Sequence, residues 1–293
     1  MNRSFLFAFI FISLHLFEKI NTNWLNFFHI LFMKTNTIRE LFYDHKGNLI
    51  HKWDHYFDIY EKYFSKYRGQ EINMLEIGIS HGGSLQLWKK YFGEKIHIYA
   101  VDINPECKKF EEENVTIYIG SQNDEIFLKN LAGTLPEMDI IIDDGGHTMS
   151  QQLLTFEHLF LKVKEGGLYI VEDTHTSYWT EFHGGLKNPG SFIEKSKNLV
   201  DSLYESHIHD ADDKKKVIIN DITSHITGIS FYDSVVVFEK EKRKIPFHIQ
   251  IGKETITPYQ PTELKKESMI SKMKSIFKEK KKHSFEINDG GKI

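Results

Sequence analysis

Apolar and polar positions follow two rhythms through the middle of the chain. Short apolar runs recur: INMLEIGI from Ile72, IHIYAVDI from Ile96, VTIYIGS from Val115, MDIIIDD from Met138 and GLYIVED from Gly167. Runs such as Ile140–Ile142 and Leu168–Val171 have no polar period and read as strands buried on both faces of a parallel sheet. Between them GGSLQLWKKYF, DEIFLKNLAG and MSQQLLTFEHLFLKV read as helices. This alternation predicts an α/β fold, a doubly wound, mostly parallel, Rossmann-like sheet with helices on both faces. ITGISFYD and SVVVFEKE flank Asp233–Ser234 and predict a C-terminal antiparallel hairpin that closes the sheet.

Upstream of the strands, residues 34–70 read as a helical cap. Trp53, Tyr56, Phe57, Tyr60 and Phe64 fall at helical spacing. The plain expectation is a helix packed on the sheet edge; the sharper one is that some of His51, Trp53, Asp54, His55 and Tyr56 cover a cofactor. Residues 71–240 form the main domain. Residues 241–293 turn polar and then basic, with KEKKKH at Lys278–His283, and read as a solvated tail.

Residues 1–33 differ from the rest. The run Phe5–Phe17 is apolar apart from a Ser and a His, yet shorter than the ~20 residues that span a bilayer. One Arg precedes it and no small-residue cleavage site follows, so a cleaved signal peptide is poorly formed. Three readings stand: an uncleaved anchor, an extra helix packed on a partner, or sequence read upstream of the true start, with KTNTIRE after Met33 resembling a natural beginning. The third is favoured.

The formal net charge of −4 gives no global bias toward nucleic acid. Cys107 is the only cysteine, so no intrachain disulfide forms; this fits a reducing, cytoplasmic setting. Membrane contact is expected only through residues 1–33. The aromatic stretch 34–70 is a candidate surface for a homo-oligomer.

The candidate chemistry sits where the apolar runs stop. Ligands of such sheets bind beyond the carboxyl ends of the strands. Asp143, Asp144 and His147 follow one strand, and Glu172 and Asp173 follow another, so they should gather at one mouth. Carboxylates beside a histidine make a poor core but hold a hard divalent cation next to a base. At the other end, MLEIGISHGGSLQLW turns from strand to helix through glycines. Gly78 lets the backbone leave the strand, Gly82 and Gly83 allow close approach of a ligand, and Ser84 can cap the helix. The pattern is not G-x-G-x-x-G. Glu76, just before the turn, suits a cationic amino group better than a pyrophosphate. Asp102, ending the second strand, lies where an acid accepts ribose hydroxyls. Ser121 and Gln122 in the next loop can meet an adenine edge. Together these features indicate S-adenosylmethionine rather than NAD.

On LEIGISHGGS, the acid of AVDIN and the DD ending the fourth strand, the chain resembles the class I S-adenosylmethionine-dependent methyltransferases, over about Asn73 to Lys240. More narrowly, IDDGGHTMSQQLLTF followed by VEDTHTSYW is similar to the metal-dependent O-methyltransferases of macrolide and polyketide sugars, and to cephalosporin-hydroxylase-type sequences. This resemblance implies that Asp144, Glu172 and Asp173 hold Mg2+ and that His147 is the base. Asp143 then stays on the cofactor side or orients its neighbours. A hydroxylase is disfavoured, since redox iron usually takes two histidines and one carboxylate. The expected function is Mg2+-dependent O-methylation of a sugar hydroxyl on a small molecule or glycan. A catechol-like acceptor and a non-catalytic S-adenosylmethionine-binding component are the alternatives. His175, Tyr178 and Trp179 either line the substrate mouth or anchor their loop.

Overall fold

The five apolar runs form β1 (Ile72–Ile77), β2 (Ile96–Asp102), β3 (Val115–Ile119), β4 (Met138–Asp143) and β5 (Val163–Val171) in a computed structural model that describes residues 36–257 and 259. They pair in parallel. β6 (Ile226–Tyr232) and β7 (Val235–Lys240) pair antiparallel, and β7 lies against β5. The seven-stranded order is β3-β2-β1-β4-β5-β7-β6. The order reverses between β1 and β4, which opens a crevice at the strand ends.

The helices are α1 (Ile38–Tyr43), α2 (Tyr56–Phe64), α3 (Gly83–Phe92), α4 (Glu125–Thr134), α5 (Met149–Leu159), α6 (Phe192–Leu203), α7 (Ala211–Lys214) and α8 (Asp221–Ser224). Alternate strand residues feed two cores, as a pleated sheet requires. Met74, Ile98, Ile140 and Ile170 face a core shared with α2 and α3. Leu75, Val101, Ile141 and Tyr169 face one shared with α4, α5 and α6. On the first face Tyr60, Phe64 and Trp88 are fully buried and in ring contact. Each such side chain contributes roughly 1.5–3 kcal/mol by leaving water.

The stretch read as one helical cap is two helices joined by irregular chain from Asp44 to His55. The Lys46-Gly47-Asn48 turn breaks it: His45 Nε2 lies 2.8 Å from the Asn48 carbonyl, and Asn48 N–H donates to Gln86 on α3 at 2.9 Å. Trp53 therefore falls before α2, outside its buried stripe, and is 50% exposed. Residues 1–33 lie outside the described residues, as does most of the tail. The chain divides into two units, Met1–Ile245 and Pro246–Ile293. The described residues of the second carry no helix or strand. Among the described residues no helix is long and apolar enough to cross a membrane.

Candidate acid centre and donor pocket

Strand register brings the site together. Asp143 sits level with Ile77 of β1 and Val171 of β5, and Ile77 sits level with Val101 of β2. The next residues, Gly78, Asp102, Asp144 and Glu172, therefore leave the sheet at one height. Gly78 has φ 84°, and a Cβ there would lie 2.1 Å from the Asp144 carbonyl oxygen. Only glycine lets the β4 loop lie against this turn.

The acids and the imidazole converge. His147 Nε2 lies 3.4 Å from Asp173 Oδ2 and 3.9 Å from Asp144 Oδ1. Asp144, His147 and Asp173 each offer a ligand atom, all within 4.8 Å of one another. Glu172 is not one of this group and is joined to it through Lys52. Its Oε1 accepts from Tyr60 at 2.5 Å and its Oε2 from Lys52 at 2.8 Å. Lys52 also donates to Asp144 Oδ2 at 2.6 Å. Both His147 and Asp173 adopt left-handed backbone, φ 58° and 52°, a strained conformation that gathers at functional sites. Thr176 Oγ1 donates to the His147 carbonyl at 2.9 Å and so braces it.

Burial governs the charges. It raises Glu172 to about 7, opposed by Lys52 and Tyr60 and reinforced by Asp144. Asp144 keeps 19% of its side chain exposed, yet burial among its neighbours still raises it to about 6. Burial lowers the imidazole of His147, against the pull of Asp173 and Glu172. His147 is thus neutral at pH 7, as a base must be. Two carboxylates and an imidazole whose ligand atoms meet at one point fit a hard divalent cation. Asp144 and Asp173, with His147 beside them, are the residues whose ligand atoms converge for it; Glu172, expected among the ligands, is tied to Lys52 and Tyr60.

A pocket of about 630 Å³ opens beside this centre, within the range of small-molecule sites. Its wall includes Gly78, Ser80, Ser84, Asp102, Ser121 and Gln122, and it runs to Asp144, His147 and Asp173. Asp102 Oδ2 accepts from the N–H groups of Ile79 and Ser80, both at 3.0 Å, and Oδ1 from Asn104 at 2.9 Å. A carboxylate has about four acceptor sites, so capacity for hydroxyls remains.

Several sequence-predicted cofactor residues are placed less directly. Glu76 is fully buried and is not part of the pocket wall; Ser84, from α3, donates to its Oε2 at 2.8 Å. Ser84 thus points to Glu76 rather than capping α3, whose N-cap is Gly82. Gln122 is buried, donating to Asp143 at 2.7 Å and accepting from Gly146 N–H at 2.8 Å. Asp143 is buried with it, so this pair fixes the β4 loop. A Cβ on Gly83 would meet the chain's own Asn48 and Leu49 carbonyls at 2.3 and 2.4 Å. Close approach there is by the 44–55 segment, which also lends Leu49, Ile50, His51 and Lys52 to the pocket wall. His175 and Trp179 are in ring contact, centroids 4.6 Å apart, and Trp53 joins them at 5.9 Å.

Demethylmacrocin O-methyltransferase of Streptomyces fradiae is 37% identical over 191 residues, 62% of this chain and 47% of that protein. Mycinamicin VI 2''-O-methyltransferase of Micromonospora griseorubida is 32% identical over 192 residues, with the same coverages of 62% and 47%. The MycE methyltransferase of the mycinamycin biosynthetic pathway, solved in complex with Mg and SAH, superposes with a TM-score of 0.64 at 28% identity over 80% of this chain and 61% of that one. Over this stretch the chain is similar to these O-methyltransferases. It spans about half the length of the relatives it matches. No protein-family model matches it.

The sequence reading missed Lys52 and Tyr60. Lys52 is 3% exposed and 92 residues from Asp144 along the chain. Its one signal was spacing: Lys52, Tyr56 and Tyr60 recur every four residues. A lysine in a polar run nevertheless reads as solvated.

Proposed function

We propose that this protein is an S-adenosylmethionine- and Mg2+-dependent O-methyltransferase acting on a sugar hydroxyl of a glycosylated small molecule. The observation that carries the reading is the meeting of Asp144, His147 and Asp173 ligand atoms within 4.8 Å, at the mouth of the pocket behind Gly78. Support comes also from the relatives, among them a rhamnosyl tetracenomycin-C 2'-O-methyltransferase and the mycinamicin VI 2''-O-methyltransferase.

In this reading Asp144, Glu172 and Asp173 hold Mg2+, and Gly78, Ser80, Asp102 and Ser121 shape the donor site. Magnesium, when bound, supplies positive charge that acidifies the acceptor hydroxyl. His147 Nε2 takes the hydroxyl proton, and the freed oxygen lone pair forms the new bond to the methyl carbon as the bond from carbon to the donor sulfur breaks. Asp173 and Asp144, 3.4 and 3.9 Å away, then stabilise the charged imidazolium. The left-handed turn at His147, braced by Thr176, aims the ring at the mouth. Alignment of oxygen, carbon and sulfur at a near-attack distance of ~3–3.5 Å supplies much of the remaining rate. Trp53, His175 and Trp179 form the acceptor side. The setting is cytoplasmic.

Labelled S-adenosylmethionine offered with nucleotide sugars and glycosylated polyketides, with Mg2+ and with chelator, tests this. Methyl transfer that needs the ion is expected. Transfer undiminished by chelator would remove the metal from the reading, and transfer only to catechols would remove the sugar.

A further inference from the structure

The acid centre is held from a direction that its strands do not supply. Tyr56 and Tyr60 stand one helical turn apart on α2, so their side chains share a face. Tyr60 donates to Glu172 Oε1 at 2.5 Å. Tyr56 donates to Asp173 Oδ1 at 2.6 Å, and the same hydroxyl oxygen accepts from the Asp173 N–H at 3.2 Å. One phenol therefore grips both the side chain and the backbone of a residue in left-handed conformation, φ 52°. A non-glycine residue stays there only when its surroundings over-determine it. With Oδ1 tied to Tyr56, the other oxygen of Asp173 faces His147 Nε2 at 3.4 Å. Tyr60 is fully buried, stacked on Phe64 with centroids 5.4 Å apart, so it offers Glu172 a rigid donor.

We propose that Tyr56 and Tyr60 are positioning residues of the acid centre: α2 aims Asp173 and Glu172 so that their remaining lone pairs converge on one divalent cation. This rests on the metal reading above and adds a role for the cap helix. Partners behind metal ligands fix ligand orientation, and their loss commonly costs 10–100-fold in affinity.

The test uses the full chain and Mn2+ as probe, followed by electron paramagnetic resonance. Tyr56→Phe and Tyr60→Phe are compared with Tyr63→Phe. Tyr63 lies on the same helix, and its hydroxyl bonds Ser230 and Tyr232 rather than an acid. The Mn2+ dissociation constant should rise about tenfold in Tyr56→Phe and several-fold in Tyr60→Phe. Tyr63→Phe should match wild type, and S-adenosylmethionine affinity by calorimetry should hold in all three. Wild-type Mn2+ affinity in both Tyr56→Phe and Tyr60→Phe overturns the positioning role alone. Equal weakening in Tyr63→Phe also overturns it, because the helix would then matter only as a scaffold. A wild-type chain that binds no Mn2+ overturns the metal reading together with this one.

Discussion

In the proposed reaction His147 is the residue on which the chemistry turns. Its ring is held by backbone geometry, lies 3.4 Å from Asp173, and is kept neutral mainly by burial. Its Nδ1 is buried with no hydrogen-bond partner among the described residues. His147→Ala should lower turnover by roughly 10²–10⁴-fold, the usual worth of a positioned base. Donor affinity, read by calorimetry, should stay near wild type, because the donor-side wall is built from other residues. Turnover within threefold of wild type would strip His147 of the role. At this scale the sequence was most informative where a residue type is rare for its surroundings. Acids that end apolar runs stood out. Lys52 did not, because its partners Asp144 and Glu172 are 92 and 120 residues away and no local pattern marks a lysine that folds inward.

Elements explain why those residues meet. The β1 turn and the β4 loop touch through bare backbone at Gly78. Gly78→Ala should push the Asp144 loop outward and also force an alanine to φ 84°. We expect a loss of more than about 1 kcal/mol of stability by denaturant titration. Weakened Mn2+ binding should accompany it even where the variant stays folded. A variant as stable and as avid for the ion as wild type would mean that the two loops are not in register. The strands were legible in the chain because short unbroken apolar runs such as Ile140–Ile142 and Leu168–Val171 have few other places to go. The cap was legible only in part. The aromatic stripe of α2 was plain, yet the turn at Lys46–Asn48 that swings the 44–55 segment over α3 is set by a long-range bond to Gln86, which periodicity does not carry.

The whole molecule pays for its acid centre in pH dependence. Burial raises Glu76 to about 7, and Asp143 and Glu172 likewise. A carboxyl whose folded pKa is raised binds its proton more tightly in the folded state. Its stabilising contribution is complete below the unfolded pKa near 4.5 and is lost as pH rises through about 7. The metal-free chain should therefore melt at a lower temperature at pH 8 than at pH 5. Glu76→Gln, which touches none of the proposed ion ligands, should flatten that slope by about 3 kcal/mol across the window. Calorimetry at a series of pH values reads both. Added Mg2+ should raise the melting temperature more at pH 8 than at pH 5, since ligand acids must be deprotonated to bind it. A chain whose melting temperature rises steadily over the same window would show that these buried acids are charged after all.

The β6–β7 turn has a consequence for assembly. The Ser234 carbonyl accepts from Thr174 N–H at 3.0 Å, and its hydroxyl meets His175 Nδ1 at 3.1 Å, while the Asp233 carbonyl lies 3.1 Å from His55 Nε2. The hairpin thus ties the loop beyond β5 to the approach to α2. A ribosome that has delivered residue 225 has already delivered Asp144, Glu172 and Asp173, but not the stitch that joins these two stretches. In a nascent chain the acid centre is finished last.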